Sequence, residues 1–237
     1  MNTRSAIGQS FAVIFALALA VLPACAVAQE APTIVRIEED WVAYIRNPDA
    51  AVTAPQIVNV ISPAATTDAA FGIIELNHAS QPDFQSGGFQ VQSWVGSTRN
   101  EFVFSSFNAP LMHAYDKLTY TVSMEIADGQ IAFGLKDGRS RTWGRFAQTA
   151  VRARCPAEGV TLADYDPQFS VDNTSINVGA HRVEVLYQTE TRYYSASGLE
   201  STDTTDRVIH RFRELVQYVS LEEYEQNADN YNIEITE

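Results

Sequence analysis

The chain is predicted to fold as an all-β protein, an antiparallel β-sandwich, on three observations. Large apolar residues recur at every second position over long stretches. Turn-forming residues interrupt the chain at short intervals. Before the acidic C-terminal tail, no long segment shows the 3.6-residue period of a helix.

The first residues are not counted in that domain. They carry one positive charge, Arg4, then an uncharged apolar run over residues 11–22, then the small-residue triplet Ala26-Val27-Ala28. This is the three-part pattern of a secretory signal peptide, with cleavage before Gln29. The apolar run falls short of the roughly 20 residues that a spanning helix needs. Leu22-Pro23-Ala24-Cys25 resembles a lipobox, which would make Cys25 a lipidated first residue and tether the protein to a membrane surface. The expectation is a signal peptide over residues 1–28 and one sandwich domain over 29–237. Its last part, about 216–237, is an acidic and weakly structured tail. The protein is exported, to the periplasm, the cell surface or the outside, and meets a membrane only if Cys25 is lipidated.

Strands follow in order at 34–44, 56–61, 71–77, 88–95 and 101–107. The clearest is Leu118-Thr119-Tyr120-Thr121-Val122-Ser123-Met124-Glu125-Ile126, where apolar and small polar residues alternate strictly. A strand sends these two sets to opposite faces, one dry and one wet. Asp128-Gly129 then reads as a two-residue hairpin turn into Ile131, Phe133 and Leu135, and Asp137-Gly138 reads as the end of that second strand. Further strands are expected at 141–146, 151–155, 169–178, 181–195 and 207–215. Ser62-Pro63, Gln81-Pro82-Asp83 and Ser86-Gly87-Gly88 supply breakers between strands. Glu38-Glu39-Asp40 reads as a charge run at a strand end, a solvated edge that discourages aggregation.

The net charge of −13, one unit more negative without Arg4, opposes binding to nucleic acid, whose phosphates it would repel. After signal removal Cys155 is the only cysteine, so no disulfide within the chain is available. Alternation with Val151 and Ala153 places the thiol on an apolar face, as an inert buried group.

Glu38-Glu39-Asp40-Trp41, Ala54-Pro55-Gln56, Glu75-Leu76-Asn77-His78, Asp128-Gly129 and Thr142-Trp143-Gly144-Arg145-Phe146 together resemble an uncharacterised family of exported bacterial proteins. That resemblance covers most of the chain up to about Arg211 and implies no activity. The long hairpins and the Trp-Gly motif are also similar to jelly-roll sandwiches of the concanavalin A-like lectin and glucanase type, which implies that winding for the sheets.

Two tryptophans stand out as binding candidates. Trp94 alternates onto one face with Gln90 and Gln92, opposite Phe89, Val91 and Val95. Trp143 alternates with Arg141 and Arg145, so its ring is expected between guanidinium groups. Exposed indoles on a sheet face stack on sugar rings. Arg139, Arg141, Arg145, Arg152 and Arg154 form a local basic cluster that suits carboxylate or sulfate groups, or alternatively pairs across strands with Glu125, Glu184 or Glu190. Asp164 with Asp166, and Asp203 with Asp206, offer oxygen ligands to Ca²⁺ but lack a complete loop pattern. The four histidines show no ligand spacing, and no nucleophile motif occurs. No catalytic residue, cofactor or firm metal site is assigned. The reading is a non-catalytic binding module, with polysaccharide as partner. The alternatives are a structural or assembly protein of the cell envelope, and a glycan-active enzyme with two facing carboxylates.

Overall fold

The computed structural model describes residues 31–78, 87–105 and 109–211. The expected signal peptide, Cys25 and the acidic tail lie outside these residues. Within them the chain is an all-β sandwich of two antiparallel sheets.

The strands are β1 (Ile34–Ile45), β2 (Gln56–Ile61), β3 (Ala70–Leu76), β4 (Phe89–Val95), β5 (Thr98–Phe104), β6 (Asp116–Ala127), β7 (Gln130–Ser140), β8 (Gly144–Phe146), β9 (Val151–Pro156), β10 (Ser175–Val178), β11 (Val183–Ser195), β12 (Gly198–Asp203) and β13 (Arg207–Arg211). One short helix, α1 (Pro167–Asn173), precedes β10. The eight-stranded sheet runs β12-β11-β1-β6-β7-β8, with β13 also on β11 and β9 also on β7. The five-stranded sheet runs β10-β2-β3-β4-β5.

Side-chain parity builds the core. Leu118, Tyr120, Val122 and Met124 of β6 are 0–2% exposed. They meet Ile37, Trp41 and Ala43 of β1 and Phe133 and Leu135 of β7 in one cluster with Ile57, Ile61, Ile74 and Val91 from the other sheet. Asp128 (φ 51°) and Gly129 (φ 72°) form the two-residue turn between β6 and β7, with both central residues in the left-handed region that the tightest hairpins require. Gly72 shows how closely the sheets approach. A Cβ there would stand 2.5 Å from Cγ of Phe133, so the Phe133 ring fills the space a side chain would take.

Two devices close the sides of the sandwich. Strand β9 reaches across to the small sheet: Ser93 Oγ donates to the Arg154 carbonyl at 2.7 Å, and the Arg154 amide donates to Glu101 Oε2 at 2.6 Å. On the other side α1 packs between β2 and the β11 and β13 strands.

Several local expectations need correction. Residues 169–178 do not form one strand, because Asp166 caps a helix and Pro167 occupies its first turn. The Asp166 side chain accepts from the Gln168 amide, a start signal that outweighs weak alternation. Asp137-Gly138 does not end β7; the strand continues to Ser140 and the pair forms a bulge inside it, with Asp137 at φ 55°. Residues 141–143 are a turn, and only Gly144–Phe146 is strand. Strand β12 was not expected at all. Finally, Glu38-Glu39-Asp40 is no solvated edge. It lies inside β1, flanked by β11 and β6, with Glu38 4% and Glu39 0% exposed.

Candidate ligand-binding surfaces

The outer face of the five-stranded sheet gathers Trp94 with residues that sequence reasoning did not connect to it. Ser97, in the turn joining β4 and β5, follows Gly96 (φ 52°), and this hairpin sets the register. Gln90 pairs with Phe104, Gln92 with Phe102 and Trp94 with Arg99; on the other side Gln90 pairs with Glu75, Gln92 with Ile73 and Trp94 with Phe71. Trp94 stacks on Phe71 with centroids 6.1 Å apart and planes 12° from parallel. Phe102 and Phe104 stack likewise at 6.1 Å and 22°. The Arg99 guanidinium sits 4.3 Å from the centre of the Phe102 ring.

Polar groups tie this aromatic face together. The Trp94 indole donates to Gln92 Oε1 at 3.0 Å, and the Gln90 amide donates to Glu75. Burial lifts the Glu75 pKa above the ordinary carboxylate range. Gln90 and Gln92 are on the outer face but buried, at 1% and 7%, so parity gave their side of the sheet and not their wetness. Phe104 is 46% exposed, and Trp94 and Phe102 are half-buried. The signal for Phe102 and Phe104 was present in the alternation of Glu101-Phe102-Val103-Phe104; only the hairpin register places it beside Trp94.

Trp143 is not part of this face. Its indole donates to the Ala109 carbonyl at 2.8 Å, and its ring meets Phe146 edge-on at 5.2 Å and packs against the core. The turn that holds it is built by Asp116, which is 0% exposed and accepts from the amides of Arg141 (2.6 Å) and Thr142 (2.9 Å) and from the Thr142 hydroxyl. A turn has no two-residue alternation, so the expected sandwich of Trp143 between Arg141 and Arg145 gives way to inward packing. The arginine cluster is partly spent on pairing: Arg152 meets Glu125 at 3.1 Å, one of the cross-strand partners anticipated for it.

The calcium candidates serve local roles. Asp166 caps α1, and Asp203 accepts from Thr205 and pairs with Arg207 at 2.5 Å, which holds its pKa down to about 2. Asp164 and Asp206 are exposed. Among the described residues no group of three or more His, Cys, Asp and Glu side chains is placed to hold a metal ion.

The carboxylates of β1 divide by parity. Glu38 and Asp40 face outward. Arg192 reaches Asp40 through two nitrogens (2.5 and 2.9 Å), Glu38 at 3.3 Å and Glu190 at 2.6 Å. Lys136 and Tyr194 also hold Glu38, at 2.7 and 3.0 Å. Burial opposes charge on Glu38, but Lys136, Tyr194 and Arg36 outweigh it, and its pKa lies below the ordinary value. Glu39 faces inward, where the Trp41 indole donates to it at 3.0 Å and the Tyr165 hydroxyl donates as well. Burial raises its pKa. Ser170 Oγ and Gln188 Nε2 bear on the same carboxylate electrostatically, but neither reaches hydrogen-bond geometry with any partner.

Cys155 is 2% exposed, and burial pushes its thiol up to about 11. No helix among the described residues is long and apolar enough to cross a membrane. No family model matches the chain, and no curated protein resembles it in sequence.

Proposed function

We propose that the domain is an extracytoplasmic binding module that holds polysaccharide on the outer face of its five-stranded sheet. The carrying observation is the pair of stacked aromatic couples, Phe71 with Trp94 and Phe102 with Phe104, spread over three adjacent strands. Flat apolar rings on a sheet surface cover the apolar face of a pyranose, while amide and carboxylate groups beside them accept from its hydroxyls. Glu75, half-buried beside the rings, occupies that place, while the buried amides of Gln90 and Gln92 hold Glu75 and the Trp94 indole in position. With Arg99 and Glu75 as its charges, this face selects by ring shape more than by the sign of the ligand.

Retention of the chain on insoluble glycans tests the reading. The expected result is binding to at least one neutral matrix, with Trp94→Ala and Phe104→Ala each weakening retention about tenfold, the loss of roughly 1.4 kcal/mol of stacking. Phe104 is exposed, so its truncation leaves the fold intact. Retention unchanged in the double variant, or absent on every matrix, would overturn it.

A second reading, assembly within the cell envelope, is favoured by β12. It is a sheet-edge strand, nearly all of it exposed, with Leu199 56% accessible. Such an edge offers unpaired backbone groups to another chain. Concentration-dependent association lost on Leu199→Lys would favour that reading over the first.

A further inference from the structure

The outer face of the eight-stranded sheet holds a depression of about 310 Å³, lined by Asp40, Val42, Thr119, Thr121, Asp137 and Thr189 around the backbone of Trp41 and Tyr120. Trp41 and Tyr120 are register partners in the centre of the sheet, and both send their side chains into the core, 1% and 2% exposed. Their outward side is therefore bare backbone. The four outward neighbours of this pair are Asp40 and Val42 on β1 and Thr121 and Thr119 on β6.

Two bulges lie level with the pair, one on each side. In β11 the register steps from Glu190 opposite Asp40 to Gln188 opposite Trp41, which leaves Thr189 as the extra residue. In β7 it steps from Lys136 opposite Thr121 to Arg139 opposite Thr119, which leaves Asp137 and Gly138 facing Tyr120 alone. Bulges re-aim side chains, and these two bring Thr189 and Asp137 to the same dimple from opposite sides. The Asp137 bulge is fixed: its amide donates to the Ala147 carbonyl at 3.1 Å, and the Phe146 ring occupies the space a side chain on Gly138 would need.

The chemistry of the lining selects the ligand. Asp40 already accepts from Thr121 at 2.6 Å and from Arg192, so its carboxylate is held rigid. Asp137 keeps a carboxylate 63% exposed, with Lys136 at 3.7 Å. Three threonine hydroxyls stand between them; those of Thr121 and Thr189 donate to the Asp40 carboxylate and carbonyl, at 2.6 and 3.3 Å, and keep only their lone pairs for a ligand. Arg192 and Lys136, the cations bonded to this lining, are both paired with carboxylates; Arg139, opposite Thr119 on β7, is exposed at its edge. A lining of carboxylate and hydroxyl acceptors, with the Thr119 hydroxyl able to donate as well, matches the hydroxyl donors carried side by side on a sugar ring.

We propose that this bulge-flanked depression binds a neutral polyhydroxylated ligand of single-ring size, a hexose or the terminal residue of a glycan. The site is independent of the aromatic face on the opposite sheet.

The test is a titration of the ¹⁵N-labelled chain with D-glucose, D-galactose and D-mannose at millimolar concentration, with putrescine and Ca²⁺ as controls. The expected result is saturable shifts with at least one sugar, confined to amides at 40–42, 119–121, 136–138 and 188–190. Thr119→Ala combined with Asp137→Asn should weaken that sugar about fivefold, two hydrogen-bonding groups being altered. Asn tolerates the left-handed backbone of position 137, and unchanged shifts elsewhere confirm the fold. Trp94→Ala should leave these shifts as they are. Three results would overturn the proposal: no sugar saturates any of these amides, putrescine or Ca²⁺ does so while the sugars do not, or the shifts ignore the double variant. Sugar shifts confined to the amides around Gln90, Trp94 and Phe102 would also overturn it while supporting the aromatic face.

Discussion

Glu39 accepts from the Trp41 indole and the Tyr165 hydroxyl at a position with no access to solvent. Desolvation dominates, so the folded chain binds the Glu39 proton more tightly than the unfolded chain does. A raised folded pKa contributes stability that is complete below the unfolded value, near 4.5, and is lost as pH rises through the folded value. Glu39→Gln removes that proton site while keeping the shape. Its stability relative to the parent should therefore increase from acidic to neutral pH, as followed by urea denaturation at several pH values. A difference independent of pH would show that Glu39 does not titrate in this range. Asp116 is a buried carboxylate that accepts from two backbone amides and the Thr142 hydroxyl. Asp116→Ala strands the amides of Arg141 and Thr142 in a buried turn and should cost about 2–4 kcal/mol. An unchanged denaturation midpoint would show that water replaces the carboxylate there.

At the scale of elements, the approach of the two sheets depends on one missing side chain. Gly72→Ala drives a methyl group into the Phe133 ring and should destabilise the chain by about 1–3 kcal/mol through overpacking. Phe133→Leu in the same chain should recover part of that loss. Gly129→Ala is the comparison: its methyl would meet nothing, and only its left-handed backbone resists, for about 1 kcal/mol. A Gly72→Ala variant as stable as the Gly129→Ala one would mean that the sheets separate freely. The bulge at Asp137-Gly138 works on the same scale. One change of register inside β7 turns a residue that reads as a strand end into a wall of the polar depression.

Across the whole molecule, a single core cluster runs through both sheets and includes Cys155. Thiol labelling should therefore report global opening. In a Cys25→Ser chain, whose one remaining thiol is Cys155, a disulfide reagent should react far more slowly in buffer than in denaturant, because the thiol is both buried and weakly acidic. Equal rates would mean that the β9 side of the sandwich opens independently of the core. The outer surfaces are chemically unlike: stacked aromatics on the five-stranded sheet, and a lattice of carboxylates and cations around Arg192 on the eight-stranded one.

Much of this was legible in the residues alone. Two-residue alternation marked β6, β4 and β11, Asp128-Gly129 marked the hairpin, and parity placed Trp94, Gln90 and Gln92 on one face together. These are local properties, set by the geometry of an extended backbone and by which side chains water excludes. The partners of Trp94, the inward turn of Trp143, the interior position of Glu38-Glu39-Asp40 and the meeting of Asp137 with Thr189 were decided only by the tertiary structure. Each depends on strand neighbours and on register between segments far apart in the chain. A single bulged residue shifts that register, and local sequence does not distinguish a break that ends a strand from one, such as Asp137-Gly138, that bulges inside it.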